Sequence, residues 1–65
     1  MFKVGDRVKI TKWVDKYWVS PMDATIGKEG NVIEIWNDGL AFKVYVEKTE
    51  PQWIYPIEAL ELSNN

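Results

Sequence analysis

The segment Gly30–Val46, GNVIEIWNDGLAFKVYV, decides the fold, because it predicts two strands joined by a tight turn. Asn37-Asp38-Gly39 is the turn, since Asn and Asp tolerate a left-handed backbone and Gly adopts it without steric cost. Apolar and aromatic residues on both sides favour a pleated, half-buried surface. After the turn, apolar and polar residues alternate from Phe42 to Glu47, which is the period of a strand.

The strand before the turn, Gly30–Trp36, breaks that alternation, because Val32, Ile33 and Ile35 are all apolar. A β-bulge adds one residue to a strand and bends it, so that Val32 and Ile35 would both point inward. The sequence therefore predicts a strand that bends sharply or carries a bulge, as a small barrel needs for closure.

Three further strands are expected around this hairpin. One begins at Arg7, where Val8 and Ile10 alternate with polar neighbours, and Trp53-Ile54-Tyr55 predicts another. Pro56–Leu60 has the pattern of one helical turn, and Glu61-Leu62 follows it as a brief last strand. Trp13–Lys28 has no clean period and predicts a long irregular loop, while Glu47–Gln52 predicts a polar loop.

This order of elements predicts an all-β fold: a small five-stranded SH3-like barrel with a long first loop and one short helical turn before the last strand. The 65 residues make one domain, which we place at residues 1–62, with a frayed tail at residues 63–65.

Composition limits the chemistry that is open to the chain. It contains no His and no Cys, so the commonest general base, the thiolate nucleophile and Cys-based zinc sites are absent. We expect no enzymatic activity and no cofactor. No apolar run approaches the length of a membrane span, and the first residues lack an apolar signal core, so we expect a cytoplasmic protein without a membrane partner.

The charges are unevenly distributed along the chain. The formal net charge is −2, but residues 1–28 carry +3 and residues 29–65 carry −5. Binding of nucleic acid or nucleotide is therefore the alternative function, on a platform of lysines with stacking aromatic rings. Its members would be Lys9, Lys12, Lys16 and Lys28 with Trp13, Tyr17 and Trp18. The acidic balance favours solvated, interspersed charges over this platform.

The four Trp and three Tyr are too many for the interior of so small a domain. We expect at least two of these rings at the surface, where clustered aromatics mark an interface. The main hypothesis is a non-catalytic module that binds a protein, or a second copy of itself, through an aromatic patch. The expected contact residues are Trp13, Tyr17, Trp18, Trp36, Tyr45, Trp53 and Tyr55. In the alternative reading, Trp13 or Trp18 plugs an open barrel end and Trp53 lies in the core.

Four segments also resemble a known group of proteins: Val4–Val8 (VGDRV), Met22-Asp23, Ile26–Val32 (IGKEGNV) and Trp53–Leu62 (WIYPIEALEL). They are similar to small SH3-like barrel proteins of bacteria and their phages, and more loosely to the mind-bomb-type domain and the small SH3-like subunit of photosystem I. The resemblance implies a docking barrel without catalysis, and in a phage it implies action on a host protein.

Overall fold

Five antiparallel strands form one sheet, which confirms the prediction of a small all-β fold. The computed structural model describes residues 2–47 and 52–63, so most of the expected polar loop Glu47–Gln52 lies outside the described residues. The strands are β1 (Arg7–Ile10), β2 (Glu29–Trp36), β3 (Ala41–Tyr45), β4 (Trp53–Pro56) and β5 (Leu60–Leu62).

The β2–β3 hairpin forms where the sequence predicts it. Asn37, Asp38 and Gly39 have φ values of 51°, 55° and 90°, which is the left-handed region that these residue types accept most readily. The N–H of Leu40 donates to the carbonyl of Asn37 at 3.1 Å and closes the turn. The predicted bulge is also confirmed, because the β2–β3 register shifts between Val32 and Glu34.

β2 bends closely against β3 at Gly30. A Cβ atom at this position would overlap the carbonyl oxygen of Tyr45 and lie 2.8 Å from Cγ1 of Val44. Gly30 also pairs with Val8 of β1, so the same residue is enclosed by both neighbouring strands. Only a residue without a side chain permits this approach.

The expected closure into a barrel is not found. The strand order is β4-β3-β2-β1-β5, and within the described residues β4 and β5 do not pair with each other. A single 3-10 turn at Ile57–Ala59 joins them and carries β5 to the far edge of the sheet, beside β1. This confirms the helical turn, although Pro56 ends β4 instead of beginning the turn.

One apolar core receives side chains from all five strands. Directly opposite residues share a face of the sheet, so the pairs Phe42–Tyr55 and Val32–Val44 define the inner face. Phe2 packs edge-to-face on Phe42, with 5.3 Å between the ring centroids. The buried members are Val8, Ile10, Met22, Val32, Phe42, Val44, Val46, Tyr55 and Leu60.

The long loop between β1 and β2, which has no clean period in sequence, holds a 3-10 helix at Ser20–Thr25. It buries Met22 and Thr25, which stand three residues apart on one side of the helix. At the other end of the chain, Ser63 donates its N–H to the carbonyl of Arg7 at 2.9 Å, so the first residue of the expected tail is bonded to β1. Asn64 and Asn65 lie outside the described residues.

Candidate aromatic interface

The seven predicted interface aromatics fall into three groups. Tyr55 is fully buried, Trp18 and Trp53 are partly buried against the core, and the other four are exposed. The prediction that at least two of these rings stay at the surface is therefore confirmed. The exposed fractions are 56 % for Trp13, 50 % for Tyr17, 45 % for Trp36 and 39 % for Tyr45.

The interpretation of Tyr55 as a surface residue is wrong. Its hydroxyl donates to Oγ1 of Thr25 at 2.8 Å, and Thr25 in turn donates to the carbonyl of Met22 at 2.7 Å. Burial raises the pKa of the Tyr55 hydroxyl, and the hydrogen bond with Thr25 opposes this shift. Pro56 is buried as well, so this end of β4 contributes neither residue to an exposed aromatic patch.

Trp18 and Trp53 connect the surface to the core. Trp18 packs edge-to-face on Tyr55, with centroids 5.9 Å apart, and its indole N–H donates to Oδ1 of Asp23 at 2.7 Å. Trp53 stands opposite Val44, on the inner face of the sheet. These contacts agree with the alternative reading, in which an indole of the long loop plugs the open end of the core and Trp53 belongs to the interior.

The long loop is tied to the 3-10 turn that precedes β5. The N–H and Oγ1 of Thr11 both donate to the carbonyl of Ala59, at 2.7 and 3.1 Å. Further along, Nζ of Lys16 lies 3.1 Å from Oε2 of Glu58. The loop therefore crosses this turn between residues 11 and 16, and Trp13 lies on the crossing segment.

Tyr17 connects the long loop to the β2–β3 turn. Nδ2 of Asn37 donates a hydrogen bond to the Tyr17 hydroxyl. Tyr17 itself has a φ of 60°, a left-handed conformation that costs a residue of this type about 1 kcal/mol. The ion pair of Lys16 and the hydrogen bond of Asn37 hold this conformation, so the half-exposed ring is positioned by its neighbours.

The β2–β3 turn contacts the 3-10 turn directly, because the N–H of Ile57 donates to the carbonyl of Leu40 at 2.9 Å. Three segments thus meet at one end of the sheet. Leu40 is 62 % exposed there, and the indole N–H of Trp36 donates to Oε1 of Glu34 at 2.9 Å. We call the exposed side chains at this end the turn-end surface: Trp13, Tyr17, Trp36 and Leu40.

Tyr45 does not belong to the turn-end surface. It closes β3 at the strand end away from the turn and pairs with Asn31 of β2. Trp53 also lies toward that end, opposite Val44. The seven predicted residues consequently do not form one patch, because the alternation of β3 and β4 separates them by both face and strand end.

The charges of the two halves of the chain interleave in space. Nε of Arg7 lies 3.4 Å from Oε1 of Glu29, and Lys9 stands between Glu29 and Glu61 on the neighbouring strands. Hydrogen bonds from Ser63 and Arg7 lower the pKa of Glu29. The pKa of Glu58 is lowered by its own backbone N–H and by Lys16. Two lysines of the predicted nucleic-acid platform, Lys9 and Lys16, thus face carboxylates.

The described surface is otherwise without a cleft. Across residues 2–47 and 52–63 no concave pocket forms, and no three acidic side chains gather as a metal site would require. Over the same residues no helix is long and apolar enough to cross a membrane. Searches with this chain against protein-family models and against curated proteins find no match.

Proposed function

We propose that this chain is a non-catalytic protein-binding module whose partner docks on the turn-end surface. One observation carries the proposal: four large apolar side chains, each at least 45 % exposed, stand on segments that hydrogen bonds and an ion pair hold together. Exposed apolar side chains that gather at one place mark interaction sites on soluble proteins.

The proposal includes an SH3-like barrel as the fold. The strand order β4-β3-β2-β1-β5 and the single 3-10 turn before β5 support it. So does the close bend of β2 at Gly30, which brings β3 against the inner side of the sheet. Such a frame would bring the long loop, the hairpin turn and the 3-10 turn to one end, and these segments carry the exposed rings of Trp13, Tyr17 and Trp36.

The free energy available from burying the turn-end surface is large enough for a specific interaction. Burying two or three of these side chains would supply about 4–8 kcal/mol before the cost of association. The surface is also partly ordered in advance, since Tyr17 is bonded to Asn37 and Trp36 to Glu34. These side chains would therefore lose less conformational entropy when a partner binds than side chains on a mobile loop would.

Capture of a partner by the immobilised chain from a lysate of the source organism tests the proposal. Trp13→Ser and Leu40→Ser should each reduce capture about tenfold or more, because a central apolar contact contributes 1–2 kcal/mol or more. Tyr45→Ser is the matched control, since Tyr45 is exposed but lies at the other strand end. Equal capture by all three variants would contradict the proposal.

The salt dependence of capture distinguishes protein binding from the alternative function, binding of nucleic acid or nucleotide. Apolar docking should change little between about 50 and 500 mM salt, whereas phosphate binding weakens steeply over this range. If capture disappears with salt and with Lys12→Glu, while Trp13→Ser and Leu40→Ser retain it, the ligand is a nucleic acid or nucleotide.

A further inference from the structure

The second half of β2 has a bare edge. Of the residues in β2, only Glu29–Asn31 pair with β1. The segment before β1 extends this contact by one residue, because the N–H of Gly5 donates to the carbonyl of Val32 and the N–H of Val32 donates to the carbonyl of Asp6. Beyond Val32, the described residues give β2 backbone pairing with β3 alone. The segment Ile33–Trp36 is therefore an edge strand, although β2 as a whole is central in the sheet.

This edge is apolar and open to solvent. Ile33, Ile35 and Trp36 are 38 %, 45 % and 45 % exposed, and Glu34 between them is exposed as well. Unpaired N–H and C=O groups on an exposed apolar edge form a template for another strand. β4 is a weaker template, because it carries Pro56 and its side chains are buried or half-buried.

We propose that Glu34–Trp36 pairs antiparallel with the same segment of a second copy of the chain, with the twofold axis passing between the two Ile35 residues. The inference rests on the proposed function, because it names a second copy as a partner at the same end of the molecule. It adds a defined strand register, which makes it separately testable.

Charge and neighbouring contacts select that register. Antiparallel self-pairing that keeps the two faces of the sheet continuous places one residue opposite itself. An axis at Glu34 would set two carboxylates directly opposite each other, which is destabilising. An axis at Ile33 would need the edge of Val32, which Gly5 and Asp6 already occupy.

An axis at Trp36 fails for a different reason. It would extend the pairing into Asn37 and Asp38, whose φ values of 51° and 55° are incompatible with a strand. It would also set Asp38 opposite Glu34. With Ile35 on the axis, Ile33 would stand opposite Asn37, whose φ of 51° ends the strand, so direct pairing is confined to Glu34–Trp36. Within those three residues no like charges stand opposite each other, and the occupied edge of Val32 is not needed.

The Ile35 register brings complementary groups together. It places Glu34 opposite Trp36 of the second copy, and Trp36 already presents its indole N–H to a carboxylate, that of its own Glu34. Lys43 stands beside Glu34 on β3 and offsets its charge. The two Glu34 residues are then diagonal neighbours, about 7–8 Å apart, instead of directly opposed.

Cysteine cross-linking tests the register. Directly opposite residues of an antiparallel pair have Cα atoms about 4.5–5.5 Å apart, within the range of a disulfide. Because the chain contains no cysteine, Ile35→Cys introduces a single thiol. Tyr45→Cys is the control, since Tyr45 is similarly exposed but lies on β3, which is paired on both sides.

Under mild oxidation at equal concentration, Ile35→Cys should form the disulfide-linked dimer at least about tenfold faster than Tyr45→Cys, because pairing raises the effective concentration of the thiol. In denaturant the two rates should converge. Equal rates under native conditions would overturn the register.

Sedimentation tests the dimer itself. A three-residue ladder buries less than the about 1,200–2,000 Å² of a stable complex, so the wild-type chain should be a concentration-dependent dimer. Ile35→Lys places like charges on the axis and should weaken association at least about tenfold, while Tyr45→Lys should leave it unchanged. A wild-type chain that stays monomeric at about 1 mM would overturn the inference. Loss of capture by Leu40→Ser would then still support the proposed function.

Discussion

The two halves of β2 contain similar residues but have different surroundings. Glu29–Val32 lies along β1 and the segment before it and alternates between partly exposed and buried side chains, whereas Ile33–Trp36 has β3 as its one described neighbour and exposes all four. Val32 and Ile33 are adjacent and chemically alike, yet the first is 1 % exposed and the second 38 %. Val32 faces the core opposite Val44, whereas Ile33 stands at the register shift, so burial in this strand depends on position relative to the neighbouring strands and residue type alone does not determine it.

The largest effect is expected in the first half, from Gly30→Ala. Its Cβ would overlap the backbone carbonyl of Tyr45, and a strand cannot move away without breaking its ladder. We expect a loss of about 3 kcal/mol or more in the free energy of unfolding, comparable to the whole stability of a domain of this size. Circular dichroism and urea titration measure the loss.

Gly5→Ala is the matched control for this change. Gly5 has a φ of +98°, but a Cβ there would meet no atom within 4 Å. Its cost should be limited to backbone strain of about 1–2 kcal/mol. If Gly30→Ala costs no more than Gly5→Ala, the close packing of β2 on β3 is wrong.

A smaller difference is expected between Val32→Ala and Ile33→Ala. The first removes two buried methyl groups from the core and should cost about 2 kcal/mol, while the second removes half-exposed atoms and should cost about 0.5 kcal/mol or less. Urea denaturation followed by Trp fluorescence gives both values. Equal costs would show that the second half of β2 is covered in the isolated chain.

The smallest effect concerns acid stability in the first half of β2. Hydrogen bonds from Ser63 and Arg7 lower the folded-state pKa of Glu29 below its ordinary value of 4.5. Its contribution to stability is therefore present above pH 4.5 and is lost as the pH falls through the lowered pKa. Glu29→Gln should therefore reduce the fall in the free energy of unfolding between pH 6 and pH 3, measured by urea titration at each pH. An unchanged pH dependence would contradict the contacts of Glu29 with Ser63 and Arg7.

The sequence predicts the hairpin and the strands well, because their signals are local. Asn37-Asp38-Gly39 offers three residues that accept positive φ, and the three apolar residues Val32, Ile33 and Ile35 indicate the bulge. The predicted inward position of Ile35 is half right. The register sets it opposite buried Phe42, but the sheet ends there and leaves it 45 % exposed.

The candidate site is harder to predict, because it depends on contacts between distant residues. No pattern in the long loop shows that Tyr17 meets Asn37 or that Lys16 meets Glu58. The short run of β4 does not reveal whether Trp53 and Tyr55 face inward, since a three-residue alternation fits either face. Tyr55 was therefore misplaced, whereas exposure of some rings followed from their number alone.

The pairing of β1 with β5 has a consequence for how the chain acquires its shape during translation. Val8 and Leu62 stand opposite each other across most of the sequence, whereas the hairpin joins near neighbours. The ribosome releases β1 long before β5 exists, and contacts between distant residues form slowly. Until β5 is available, β1 has an unfilled neighbour position, so we expect the β1–β5 pair to complete the sheet last.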